Sequence, residues 1–266
     1  MTIASPLQDW PAAPRLPVLH EAEMHIWRAD ALSLARHEAR LTALLPKAQS
    51  LQGGKVSQGT ARHRSLLARG VLRDILGRYL GHDPRGLQFI VTSLGKPLLD
   101  PQVHAGAPQF SVSHSGDLVL FAFARKHEVG IDVEAIRDDI ELADLAQRFF
   151  APAESRELLA LPEAARLNAF YAGWTRKEAY VKARGAGIGY GLERFAVTLR
   201  PDQPARLISD DRCAQEVGQW HLENLALGTG FSACAAVRSK DLSFRYWMWQ
   251  EPADDDGQLK GVDPRH

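Results

Sequence analysis

The sequence predicts an α+β fold made of a pseudo-twofold pair of similar lobes, each an antiparallel sheet packed with helices. Strand-like and helical runs follow one another in a loosely similar order in both halves of the 266 residues. Within each half the strands come in groups, without the regular strand–helix alternation of a parallel sheet. The hydrophobic content of 45% is enough for a substantial core.

The first half begins with a strand and ends with three. Apolar alternation predicts a strand over residues 23–28, and a helix follows over 31–45, ended by Pro46. Gly53 and Gly54 indicate a loop. A long helix over about 60–80 has an apolar face consisting of Leu66, Leu67, Val71, Leu72, Ile75 and Leu76. Further strands are predicted at 88–91, 110–112 and 118–124.

The second half repeats that order. It begins with a strand over residues 129–134. Helices are predicted over 142–150, 153–161 and 164–184. Strands follow at 195–199, 220–225, 231–237 and 244–249.

These elements divide the chain into a lead, two lobes and a tail. We expect residues 1–22, which are rich in proline, to form an extended lead. The first lobe spans 23–126 and the second 127–250. Residues 251–266 have little apolar content and are predicted to be disordered.

Composition excludes several classes of protein. Basic and acidic residues balance at 32 each, so the charge gives no sign of a nucleic-acid or membrane partner. Cys213 and Cys234 lack zinc-type spacing and are predicted to be reduced thiols. Neither a signal sequence nor a run of eighteen apolar residues is present, so we expect a cytoplasmic protein.

A pair of carboxylates on one strand suggests a metal site. In an extended segment Asp132 and Glu134 point to the same face, with Cα atoms about 7 Å apart. Two carboxylates about 5 Å apart would repel by roughly 3 kcal/mol at an effective dielectric near 20, so a cation between them is favoured. Oxygen ligands suit a hard divalent ion such as Mg²⁺.

The helix over 164–184 carries a further carboxylate and two lysines. Glu178 and Lys182 alone could be an ordinary surface ion pair. Trp174 shares their stripe, which is unusual for a solvated face, and Lys177 lies about a quarter-turn away. The glycine-rich exit at residues 185–191 could approach a ligand closely or could be a flexible loop.

Two turn segments in the first half offer groups to an anion. Ser113 and His114 lie in a segment between two predicted strands, where hydroxyl, imidazole and backbone N–H groups could bind a phosphate. A serine hydrolase is the alternative, but the sequence has no G-x-S-x-G elbow. Lys96, in a Gly-Lys-Pro turn, could be a solvated charge or a phosphate contact.

Five motifs together resemble one family. They are Arg64-Ser-Leu-Leu, Gly95-Lys96-Pro97, Ser113-His114-Ser115, Gly130-Ile131-Asp132-Val133-Glu134 and the segment from Trp174 to Lys182. Their order and spacing resemble the larger, two-lobed class of 4′-phosphopantetheinyl transferases, the surfactin-synthetase-activating type, over about residues 23–240.

The resemblance implies a holo-[acyl-carrier-protein] synthase activity. Such an enzyme transfers the phosphopantetheine arm of coenzyme A to a serine of an apo acyl or peptidyl carrier protein and releases adenosine 3′,5′-bisphosphate. The resemblance also implies Mg²⁺ as cofactor, with Mn²⁺ as a substitute, and a monomer that binds its carrier protein transiently.

The resemblance assigns the metal and the chemistry to the second lobe. Asp132, Glu134 and Glu178 would hold Mg²⁺ against the pyrophosphate of coenzyme A, and Lys182 would also reach it. Glu178 would accept the serine proton, directly or through a bound water, with Asp132 and Lys182 as its catalytic partners. Glu154 would be either a ligand near the metal or a helix-stabilising residue.

The resemblance assigns most of the coenzyme A contacts to the first lobe. Arg64 and His114 would bind the 3′-phosphate, Lys96 and Ser113 would contact the nucleotide end, and Lys177 would line the phosphate channel. Ser111 stands where the family often has asparagine. Which of Lys47, Lys55 and Arg62 contacts the 3′-phosphate stays open. One alternative is another Mg²⁺-dependent phosphoryl transferase, but the sequence has no G-x-x-x-x-G-K-[ST] loop or kinase-type motif set. The other is a catalytically inactive module that binds coenzyme A or a carrier protein, and the presence of all the carboxylates and Lys182 favours an enzyme over it.

Overall fold

The computed structural model describes residues 9–46 and 61–251. In these ranges the α-helices are α1 (Ala31–Arg36), α2 (Glu38–Ala43), α3 (Ala61–Leu80), α4 (Leu142–Phe149), α5 (Pro152–Ala160) and α6 (Glu163–Arg184). The strands are β1 (Glu23–Asp30), β2 (Phe89–Val91), β3 (Pro97–Leu99), β4 (Gln109–Ser115), β5 (Leu118–Ala124), β6 (Val129–Ala135), β7 (Phe195–Val197), β8 (Leu207–Asp210), β9 (His221–Asn224), β10 (Phe231–Val237) and β11 (Ser243–Met248). The predicted class, mixed α+β with antiparallel sheets packed with helices, is confirmed.

Two larger sheets form the framework. One has four strands in the order β11-β1-β5-β4, and the other has three strands in the order β6-β10-β9. Neighbouring strands are antiparallel except for β1 and β11, which are parallel. Two hairpins, β2-β3 and β7-β8, flank them.

Strand β5 is buried on both faces, which explains its uninterrupted apolar sequence. Phe121 and Phe123 pack in a core with residues of α3 such as Val71 and Ile75. Leu120 on the opposite face packs in a second core with residues of the three-stranded sheet. The four-stranded sheet is therefore sandwiched between α3 and the other sheet.

The end of the described chain returns to the first sheet. β11 pairs with β1 in parallel, with Met24 opposite Phe244, although the sequence places β11 in the predicted second lobe, 127–250. Trp249, just beyond β11, is fully buried and donates its indole N–H to Asp74 of α3. The boundary near residues 126–127 stays a prediction, and β11 belongs structurally to the sheet of the first half.

The single helix predicted over 31–45 is wrong, because α1 and α2 are separate. His37 leaves helical geometry between them, with φ −110° and ψ 18°. Its imidazole pairs with Glu251 at 2.5 Å and lies edge-on to Trp249. The residue that separates α1 from α2 is thus held by contacts with the end of the described chain. The sequence also missed β3 and β8, which are short hairpin strands.

Helix α6 packs directly on β6 and β10. Gly130 permits this contact, since a Cβ there would overlap the backbone of Ala179 and Ala183. The helix ends at Gly185, whose φ of 62° lies in the left-handed region that favours glycine. This close packing sets the position of the α6 side chains relative to β6.

Several predicted features lie outside the described residues. They are the loop at Gly53 and Gly54, residues 1–8 of the lead and residues 252–266 of the tail. Among the described helices, none is both long and apolar enough to cross a bilayer.

Candidate active site at the junction of the two sheets

The edges of the two larger sheets, β4 and β6, meet through serine side chains. Backbone N–H groups of Ile131, Val133 and Ala135 on β6 donate to the hydroxyls of alternate β4 serines. The N–Oγ distances are 3.1 Å to Ser111, 3.4 Å to Ser113 and 3.0 Å to Ser115. We call these three residues the serine ladder. It gives the β6 edge hydrogen-bond partners in place of a backbone ladder.

Asp132 is the most enclosed of the three predicted metal ligands. It is 2% exposed, and its Oδ1 accepts from Lys182 Nζ at 2.6 Å and from Ser113 Oγ at 2.8 Å. Its Oδ2 is buried and has no hydrogen-bond partner among the described residues. A buried carboxylate oxygen without a donor is costly, so this atom is suited to a cation.

Glu134 and Glu178 lie within electrostatic reach of Asp132. Burial raises the pKa of Glu134, and the Asp132 charge raises it further, while Ser115 Oγ donates to its Oε2 at 2.8 Å. Burial followed by the Asp132 charge likewise raises the pKa of Glu178. The three predicted carboxylates are therefore close enough to influence one another electrostatically. Among the described residues, however, no three histidine, cysteine, aspartate or glutamate side chains form a group that could hold a metal ion.

A cavity of about 780 Å³ opens beside this cluster. Its lining comes from both halves of the chain and includes Leu94, Lys96, Arg148, Trp174, Glu178 and Lys182. The predicted stripe of α6, Trp174, Glu178 and Lys182, therefore faces one space. Asp132 lies behind Lys182, whose amine connects it to the cavity.

Basic side chains lie near the C-terminal end of β4, where His114 is located. Partial burial lowers the pKa of His114, and the positive charges of Lys182 and Arg64 lower it further. A charge lowers the pKa of an imidazole in this way only at short range, so Arg64 and Lys182 both lie near His114. Their convergence suits an anion with more than one charge, as the sequence predicts for Arg64 and His114.

Ser113 has a different environment from the one predicted. Its hydroxyl donates to Asp132 and accepts from Lys182 Nζ at 3.0 Å and from Val133 N. One proton and two lone pairs are the full capacity of a hydroxyl, so all are engaged. Ser113 therefore orients site residues here, and the predicted direct nucleotide contact would require it to exchange one of these bonds.

Lys177 does not line the predicted phosphate channel. It is fully buried, and its Nζ lies 2.6 Å from Glu154 Oε2. It also donates to the carbonyls of Leu192 and Phe195. The prediction for Lys177 is wrong because the side of α6 that carries it packs against protein.

Glu154 is likewise an interior residue. Its Oε2 accepts from Ala151 N at 2.8 Å, at the start of α5, and its Oε1 accepts from Val197 N at 2.6 Å. Both oxygens are occupied, so Glu154 acts in helix capping and ion pairing. Of the two predicted alternatives, the structure favours the helix-stabilising one.

Lys96 lines the cavity, but its amine is used within the protein. Nζ donates to the carbonyls of Val129 at 3.1 Å and Ala183 at 3.0 Å. Burial lowers the pKa of Lys96 to about 8. Lys96 thus joins the β2-β3 hairpin to the ends of β6 and α6.

Of the three residues left open for the 3′-phosphate, Arg62 is exposed on α3, and Lys47 and Lys55 lie outside the described residues.

Sequence reasoning missed Ser115 and the serine ladder. The available signal was the alternation of serine at positions 111, 113 and 115. On a strand this spacing places all three hydroxyls on one face. That this face of β4 contacts the β6 edge is seen only in the tertiary structure.

Carboxylates beside a cavity rimmed by cationic groups, between two α+β halves, define a site for a phosphate-bearing substrate. Residues 128–236 match the model of the 4′-phosphopantetheinyl transferase superfamily. The chain is 34% identical over 239 residues to the 4′-phosphopantetheinyl transferase HetI of Nostoc sp., covering 90% of this chain and 97% of that protein. The chain belongs to the 4′-phosphopantetheinyl transferase superfamily.

Two further similarities are partial. The 4′-phosphopantetheinyl transferase Sfp of Bacillus subtilis is 34% identical over 142 residues, which cover 53% of this chain and 60% of Sfp. The crystal structure of the holo-[acyl-carrier-protein] synthase of Thermotoga maritima is 24% identical, with a TM-score of 0.32 over 42% of this chain and 63% of that one. At that TM-score the last similarity carries no weight.

Proposed function

We propose that this protein transfers the phosphopantetheine arm of coenzyme A to the serine of an apo acyl or peptidyl carrier protein. The observation that carries the proposal is the similarity to HetI along almost the whole of both chains. The junction of the two sheets supports it, because carboxylates, cationic groups and a cavity meet there. Both halves of one chain line the cavity, which supports action as a monomer.

Coenzyme A would bind across this junction. Arg64 and Lys182 offer positive charge to the 3′-phosphate and the pyrophosphate, and the imidazole of His114, whose pKa is lowered, offers an N–H donor beside them. Trp174 and Leu94 give the cavity an apolar wall for the less polar parts of the substrate. Val181 lies in the same wall, between Glu178 and Lys182 along the helix.

Asp132, Glu134 and Glu178 would hold a divalent cation, for which Mg²⁺ is the natural choice. The unpartnered Oδ2 of Asp132 and the raised pKa values of Glu134 and Glu178 support this assignment, because a cation would stabilise all three charges. Bound magnesium supplies electrostatic stabilisation of phosphoryl oxygens.

The transfer needs a base for the carrier serine. We assign this role to Glu178, a half-buried carboxylate that lines the cavity and whose pKa is raised by burial and by the charge of Asp132. The serine oxygen forms a bond to the β-phosphorus, and its proton passes to Glu178. The bond from the β-phosphorus to the bridging oxygen breaks, and that oxygen leaves with adenosine 3′,5′-bisphosphate. Lys182 would offset the negative charge that develops on the phosphoryl oxygens.

Intact-mass measurement of an apo carrier protein tests the proposal. Incubation with this protein, coenzyme A and Mg²⁺ should add the mass of one phosphopantetheine arm. A carrier protein with its acceptor serine changed to alanine should gain no mass. Binding of coenzyme A with no mass gain on any of several apo carrier proteins would instead indicate a binding module and would overturn the proposed activity.

A further inference from the structure

Each residue of the serine ladder accepts a backbone N–H of β6. The hydroxyl of Ser113 receives the N–H of Val133 and donates to the preceding side chain, Asp132. Ser115 repeats this arrangement one step along, with the N–H of Ala135 and the side chain of Glu134. The ladder thus contacts both the backbone of β6 and its two carboxylates.

Ser111 occupies the third position but has no carboxylate opposite. Its hydroxyl receives the N–H of Ile131 at 3.1 Å, and the preceding residue on β6 is Gly130, which has no side chain. Ser111 and Ser115 therefore make the same backbone contact. They differ in whether the strand presents a carboxylate to the hydroxyl proton.

The bonds of Ser115 fix the direction of its proton. The hydroxyl accepts from Ala135 N at 3.0 Å, which orients one lone pair toward the β6 backbone. The single proton is then directed to Oε2 of Glu134 at 2.8 Å. A carboxylate held by such a bond loses rotational freedom before any ligand arrives.

We propose that Ser115 is a positioning residue that orients Glu134 for cation binding, so that the contact joining the two sheets also sets the geometry of the metal site. This inference rests on the proposed function, because it assigns Glu134 to the metal. A residue that only joined the sheets would behave as Ser111 does.

Comparison of Ser115→Ala with Ser111→Ala separates the two roles. Binding of Mn²⁺ to each purified protein is measured by the loss of the free-ion electron paramagnetic resonance signal, with and without coenzyme A. Ser115→Ala should weaken Mn²⁺ binding roughly tenfold, as is common for residues that support a metal ligand. Ser111→Ala should bind Mn²⁺ within twofold of the wild type. Both variants should lose thermal stability in EDTA, because each removes the hydroxyl that accepts a backbone N–H of β6.

A second pair of variants, both at position 115, separates loss of the hydroxyl from a folding defect. Threonine and valine have nearly the same shape, and only threonine has the hydroxyl. Ser115→Thr should retain Mn²⁺ affinity, whereas Ser115→Val should lose it as alanine does. Equal Mn²⁺ affinities in this pair, or equal losses in Ser111→Ala and Ser115→Ala, would overturn the inference.

Failure of the inference can be told from failure of the proposed function. Wild-type protein that modifies carrier proteins while Ser115→Ala binds Mn²⁺ normally would refute only the positioning role. Wild-type protein that binds no Mn²⁺, with or without coenzyme A, would remove Glu134 from the metal site and the inference with it. Wild-type protein that binds Mn²⁺ but modifies no carrier protein would refute the proposed transfer while the serine comparison stands.

Discussion

Lys177 and Glu154 form an ion pair inside the protein, with Nζ 2.6 Å from Oε2 and both side chains almost completely buried. Burial lowers the pKa of Lys177 and raises that of Glu154, and the attraction between the two opposes both shifts. The lysine amine has three donors, and Glu154 together with the carbonyls of Leu192 and Phe195 takes all of them. The pair fixes α6 to α5 and β7 and leaves Lys177 no donor for a substrate.

We expect Lys177→Met to lower the free energy of unfolding by about 3–5 kcal/mol, because it leaves the Glu154 carboxylate buried without its partner. Adding Glu154→Gln should recover part of this loss. Chemical denaturation of the wild type, both single variants and the double variant measures the coupling. Lys126→Met provides the control, since Lys126 is 66% exposed and its pair with Glu21 should not matter. A stable Lys177→Met with reduced affinity for coenzyme A would return Lys177 to the binding site.

The second prediction concerns Asp132. Asp132→Asn keeps the shape of the side chain but removes its charge, so transfer should fall on the order of 100-fold or more. Asp132→Ala should also cost about 1–3 kcal/mol of stability, since Lys182 and Ser113 lose their shared acceptor. Turnover and denaturation curves together check both effects. Near-normal turnover of a folded Asp132→Asn variant, with Mg²⁺ as the only metal, would contradict the assignment.

The third prediction concerns Glu178 and pH. Its pKa is raised in the folded protein by burial and by Asp132, so above the unfolded value of 4.5 the folded state holds more of this proton than the unfolded state. The contribution of Glu178 to stability therefore falls as the pH rises from its unfolded pKa of 4.5 through its raised pKa in the folded protein. Without metal, Glu178→Gln should be more stable than the wild type at pH 7–8, and this gain should vanish below about pH 4.5.

Thermal unfolding in EDTA over this pH range measures the stability difference. The same variant should transfer the arm at least roughly 100-fold more slowly, which is the usual effect of losing a general base. The exposed Glu157→Gln serves as control for a lost surface charge. A stability difference independent of pH would mean that the raised pKa of Glu178 does not govern the effect.

The fourth prediction concerns the 3′-phosphate of coenzyme A. If Arg64 and His114 bind it, dephospho-coenzyme A should be a poorer substrate for the wild type, and Arg64→Ala should discriminate less between the two substrates. Charge-assisted hydrogen bonds contribute roughly 1.5–3 kcal/mol, which is about tenfold or more in kcat/KM. Kinetics with both substrates check this, and Arg69→Ala, an exposed arginine on the same helix, is the control. An unchanged preference in Arg64→Ala would remove Arg64 from the site.

The fifth prediction concerns docking of the proposed carrier protein, for which we expect an acidic surface that pairs with Arg148. Arg148 is exposed at the end of α4 and lines the cavity, and its guanidinium carbon lies 5.0 Å from the centre of the Phe149 ring. Arg148→Glu should raise the KM for carrier protein and leave the KM for coenzyme A nearly unchanged. The wild-type KM for carrier protein should rise with salt, since exposed charges are screened over about 8 Å at physiological ionic strength. Equal changes in both constants would place the docking surface elsewhere.

The sequence determined most of the local elements and which candidate site residues share a face of one element. Short apolar runs located β5 and β10 to the residue, because such runs are typical of buried strands. The period of two in a strand placed Asp132 and Glu134 on one face of β6, and the helical spacing put Trp174, Glu178 and Lys182 on one stripe. These relations depend only on the geometry of a single element.

Tertiary structure decided which partner each element meets. The pairing of β11 with β1 joins strands from opposite ends of the described chain, and neither strand's pattern specifies its neighbour. Tertiary packing likewise decided that Lys182 lines the cavity while Lys177 is buried. Successive helical residues are about 100° apart, so when Glu178 faces the cavity, Lys177 is turned toward the protein interior. Because α6 is packed on several sides, its sequence shows which residues share a face but only its packing shows which face is the active site.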